Sequence, residues 1–149
     1  MATPVITEKE LRIFAMDNPK MNTLVDGVKF DSESIEQAQI NVVDYFNIMP
    51  PTTDRTYTVE TFPSRVLLVM GVWGYLLKGA AIGETQNQFE YAADGVQIND
   101  RNHGPMFLQM GQAYWQEFTE LAKNVKVARN IERCYGSKGS EYRFRAYTI

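Results

Sequence analysis

The chain has 149 residues, 44% of them hydrophobic and 22% charged, with a net charge of −3. That length is enough for one domain with a real core, and the composition is that of a folded protein. One cysteine, Cys134, excludes an internal disulfide, and with one histidine, His103, the usual zinc ligand sets cannot be assembled.

Thr7 opens the first element. With Glu10 three residues on it forms a capping box, Leu11, Phe14 and Ala15 give a short apolar face, and Asn18-Pro19 is expected to stop the helix. The start of the chain lacks a basic stretch followed by an apolar one, so no signal peptide is expected. Asp31 or Ser32 caps a second helix, with Glu33 and Glu36 where the helix dipole favours anions. Ile35, Ala38, Val42, Tyr45 and Phe46 follow helical spacing and are expected inside, and Pro50-Pro51 ends the run.

Pro63 is expected to open the third helix. From Val66 to Ile82 it is apolar nearly all round, which is either a membrane span or a central core helix. Seventeen residues with Lys78 and three glycines fall short of the roughly 20 that a bilayer requires, so a core helix and no membrane are expected. Gly71 and Gly74 are read as points where a neighbouring backbone comes close.

Residues 87–100 alternate around Asp94-Gly95, the preferred pair for a two-residue hairpin turn. The register sets Ala93 opposite Val96 and Tyr91 opposite Ile98, with Phe89 on the same apolar face. Asn102 is expected to cap the last helix. Its apolar stripe is Phe107, Met110, Tyr114, Phe118, Leu121, Val125 and Ala128, and it ends near Tyr135. After a glycine-serine joint, Tyr142, Phe144 and Ala146 alternate with Arg143, Arg145 and Tyr147. A basic, aromatic, strand-like arm suits addition to a neighbour, against the plainer expectation that it folds back on its own protomer.

Charge divides along the chain: residues 1–60 carry net −5, residues 61–122 net −3 and residues 123–149 net +5. Lys123, Lys126, Arg129 and Arg133 step by 3, 3 and 4, giving one basic face late in the last helix. That face suits an acidic neighbour or passing DNA, or is simply a solvated helix end with cations against the dipole. Cys134 and His103 lie about 45 Å apart on one helix, which excludes a nucleophile–base pair. No phosphate loop, dinucleotide fingerprint or calcium loop is present, so no catalysis, cofactor or metal is expected.

The expected fold is mainly α: a bundle of about four helices with one β-hairpin over residues 1–136, then an extended arm over 137–149. This order of elements resembles the head-to-tail adaptor (connector) proteins of tailed bacteriophages. The resemblance is carried by "ITEKELRIFAMDNPKMNTLVDGVKFDSESIEQAQINVVDYFNIMPP" and "NQFEYAADGVQINDRNHGPMFLQMGQAYWQEFTELAKNVKVARNIERCYG". It implies a structural virion protein, made in the host cytoplasm, forming a homo-oligomeric ring in the neck. The ring would join the portal to the next neck or tail protein and lengthen the DNA channel. Arg143, Phe144, Arg145 and Tyr147 become the expected portal contacts, and Asp94 and Gly95 the subunit contact. The alternatives are another tail or baseplate subunit, or a small DNA-binding protein.

Overall fold

The computed structural model describes residues 6–20, 22, 27–86, 90–93, 96–99 and 103–135. Four helices make up most of it: α1 (Glu8–Ala15), α2 (Ser32–Ile48), α3 (Arg65–Gln86) and α4 (His103–Tyr135). Between α3 and α4 the backbones of β1 (Glu90–Ala93) and β2 (Val96–Asn99) pair antiparallel, with Tyr91 opposite Ile98. The Asp94-Gly95 turn and the side chains of this ribbon lie outside the described residues, as do Phe89 and Asn102.

The helix starts follow local chemistry. Thr7 accepts from the Glu10 amide while the Glu10 carboxylate accepts from the Thr7 amide, so two of the first-turn donors are satisfied reciprocally. Asp31 accepts from the Ser34 amide and is the cap of α2. Two boundaries differ from the sequence reading. α1 ends at Ala15, before Asn18-Pro19, because Met16 turns left-handed (φ 58°) and the Asp17 amide reaches back to the Arg12 carbonyl. α3 starts at Arg65, not at Pro63, with Ser64 holding the Leu67 amide through its hydroxyl.

α3 is the centre of the assembly. Leu68, Val72, Val42, Phe46, Phe118 and Ala122 are buried between α2, α3 and α4. Each large side chain so removed from water contributes roughly 1.5–3 kcal/mol. At 22 residues α3 is longer than its apolar run suggested, and by length and composition it is able to cross a membrane. The length argument against a span therefore falls, and burial takes its place: more than half of its most apolar window is covered by the rest of the chain.

α4 crosses α3 antiparallel at glycines. A Cβ added to Gly74 would lie 2.9 Å from the Trp115 amide nitrogen, and one added to Gly111 would lie 3.0 Å from the Lys78 amide nitrogen. Gly71, expected to face a backbone, meets side chains instead, the Phe118 ring and a Val42 methyl. The inner stripe of α4 is Gly111, Phe118, Ala122 and Lys126, with Tyr114, Trp115 and Val125 half-buried. Met110, Leu121 and Ala128, expected inside, are exposed, because the glycine contact turns the helix about one position from the stripe its apolar residues suggest. Tyr45 of α2 is likewise at the surface, tilted over the Trp115 ring at 4.8 Å.

Candidate protein-interaction surface

The late half of α4 carries the basic series, and its four cations have different fates. Lys126 is fully buried, its ammonium donating to the Met49 carbonyl at 2.5 Å and the Asn47 carbonyl at 3.4 Å, and lying over the Phe46 ring. This corrects the reading of Lys126 as part of an exposed basic face. α2 has no cation in its own last turn, and its final carbonyls need donors. Lys126 supplies them from another helix, on the side of the dipole where a cation is favoured. Burial pushes this ammonium below the ordinary lysine range.

Neighbouring residues on the same face continue the inward use. Asn130 donates to the Thr52 carbonyl at 3.1 Å, and Arg133 pairs with Asp54 at 3.2 Å. Asn47 clasps both backbone groups of Tyr57 at 2.9 Å, so the segment after α2 is fixed to the helix it leaves. Arg129 faces Glu132 of its own helix at 3.9 Å. Lys123 is exposed and has no ion pair among the described residues. The expected face of four cations thus loses Lys126 to the interior and keeps Lys123, Arg129 and Arg133 at the surface, beside a latch that holds α4 to the end of α2.

A second buried ionic hub was not foreseen. Asp17 accepts from the Lys29 and Phe30 amides at 2.7 and 3.3 Å, from the Asn22 amide group and from Arg12. Burial alone would raise its carboxyl, but these donors outweigh that and hold it below the usual range. Every donor here comes from the chain's own loop or α1, so the perturbation has a structural cause. Its signal in the sequence is slight: an aspartate just past a helix end, with its donors up to 13 residues on.

The remaining candidates for chemistry carry little. Cys134 is exposed near the end of α4 and His103 is its first residue, so they stand apart as the length of the helix requires. No group of three metal-ligating side chains occurs among the described residues. The Trp73 indole N–H is buried with no acceptor among them, but it is sealed from solvent and so is not offered to a ligand. Arg143, Phe144, Arg145 and Tyr147, and Asp94 and Gly95, lie outside the described residues.

Two surface features stand out. α2 carries Glu33, Glu36 and Asp44 outward with no cation on the helix and no ion pair to any of the three among the described residues. Large apolar side chains are exposed along the outer faces, among them Ile13, Met16, Ile48, Ile82 and Ile131, each more than half accessible. Compared with family models, curated proteins and solved structures, the chain matches none.

Proposed function

We propose that the chain is a structural subunit of a tailed-phage neck, forming a ring that joins the portal to the next neck or tail protein and lengthens the DNA channel. The observation that carries this reading is the order of elements that resembles the adaptors, closed by a basic, aromatic arm just past a long terminal helix. Exposed apolar residues on α1, α2, α3 and α4 offer surface that assembly could cover. Arg143, Phe144, Arg145 and Tyr147 are the portal contacts in this reading. In the same reading, Asp94 and Gly95 of the ribbon are the contact to the neighbouring copy.

A DNA-binding protein is disfavoured by the fate of the basic series. With Lys126 inside, Lys123, Arg129 and Arg133 are left at the surface, the two arginines in exposed ion pairs, enough for passing DNA without sequence preference. Another tail or baseplate subunit remains the alternative and differs in its partner.

The test is capture of the protein by its portal. Deleting residues 137–149 abolishes capture and leaves the helical circular dichroism unchanged. In purified particles, the copy number of the chain equals that of the portal. Capture of the truncated protein at full strength overturns the assignment of the arm, and absence of the chain from particles overturns the neck.

A further inference from the structure

α2 runs antiparallel to α3, with Asn41 bonded to the Tyr75 hydroxyl and Val42 against Gly71, so its first turn lies level with Gly79 and Ala80. There the two helices leave an open groove of about 560 Å³. Its apolar lining is Phe30, Tyr75, Leu76, Gly79 and Ala80, and Asp31 and Glu33 supply its acidic side. No Lys or Arg lines it. Gly79 leaves it open: a Cβ built there meets nothing within 4 Å, unlike those of Gly71 and Gly74.

An acidic side on an aromatic, glycine-lined groove suits an extended segment that carries cations and aromatic rings together. The chain contains one. Residues 137–149 hold Lys138, Arg143 and Arg145 against Glu141, with Tyr142, Phe144 and Tyr147. The arm of the same protomer does not bring Phe144 to it. Lys78 lies against Gly111, so the groove is 24 residues back along α4 from Tyr135, about 36 Å at 1.5 Å per residue. Fully extended, the nine residues from Tyr135 to Phe144 span at most about 32 Å, before any crossing from α4 to the α2 side.

We propose that this groove receives residues 137–149 of a second copy of the chain, Arg143 and Arg145 against Asp31 and Glu33, and Phe144 beside Gly79. The contact rests on the self-assembly part of the neck reading and gives it a surface. It operates in the free protein, where no portal competes for the arm.

Sedimentation of the full-length chain at low salt tests it. The wild-type chain self-associates. Gly79→Leu fills the groove from an exposed position with open space around its Cβ, so it keeps its helical signal and associates at least tenfold more weakly. Glu33→Lys weakens association similarly, and adding Arg143→Glu and Arg145→Glu to the same chain restores it. A wild-type chain that stays monomeric, or a Gly79→Leu chain that associates at wild-type strength, overturns the groove contact. Portal capture reads the other proposal separately. Gly79→Leu has an intact arm, so its capture supports the portal contact, and its failure alongside intact wild-type self-association sinks the portal contact and leaves the groove standing.

Discussion

α4 is held by two joints of opposite kinds. Along its first half it lies on α3 through glycines, backbone almost on backbone, with Phe118 closing the seam. Along its second half it is held to the end of α2 by a lysine, an asparagine and an arginine, all directed at backbone carbonyls or a carboxylate. The first joint depends on what is missing from the side chains and tolerates nothing added. The second depends on what the side chains carry, and suffers only when a partner is removed. Dry contacts are sensitive to volume, and polar ones to unmatched groups.

Breaking the dry joint has the largest effect. Gly74→Leu drives a side chain into the Trp115 backbone, and urea denaturation is expected to show a loss of about 3 kcal/mol, the upper end for overpacking. Lys126→Ala comes next. It leaves the Asn47 and Met49 carbonyls short of a donor, and the same measurement is expected to fall by about 1–3 kcal/mol. Arg133→Ala is the smallest: its pair with Asp54 is more than half exposed on both sides, and a change within about 1 kcal/mol that shrinks with salt is expected.

The pH dependence sharpens the contrast further. Because burial lowers the Lys126 ammonium in the folded chain, the unfolded chain holds that proton more tightly. Stability from this group therefore rises as pH climbs from the folded value toward the ordinary lysine value, and the cost of the buried charge is fully present below that window. Burial lowers Lys78 in the same direction, so Lys126→Met is expected to reduce the alkaline rise and Gly71→Ala to keep it whole, read from denaturation midpoints between neutral and strongly alkaline pH.

The two joints also differ in how well the sequence announces them. Gly71 and Gly74 stand out because an all-apolar helix has little reason for glycine except close approach; Gly74 meets the Trp115 backbone as that reasoning expects, whereas Gly71 meets side chains instead. The capping box at Thr7, the Asp31 cap and the stop at Pro50-Pro51 are equally local, and each acts as read. Lys126 is the opposite case. Charge spacing along one helix puts it beside Lys123, Arg129 and Arg133, and nothing local says that the end of α2 lacks donors. Its role is set by a residue pair nearly 80 positions apart. The Asp17 hub was missed for the same reason, since its main donors arrive with a loop whose path the sequence does not give. The stripe on α4 was read one position off because the count followed large apolar residues, whereas Gly111 and Ala122 set the actual seam.

The length of α4 has a consequence of its own. Thirty-three residues in one unbroken helix extend about 50 Å, and both joints grip it along the way. The strand pair joins the chain at one end of this rod and residues 137–149 leave from the other. A rod clamped twice does not bend at either clamp. The spacing between those two ends is then a fixed gauge. Lengthening α4 by two turns beyond Tyr135 would move the arm's root by about 11 Å while leaving both clamps untouched.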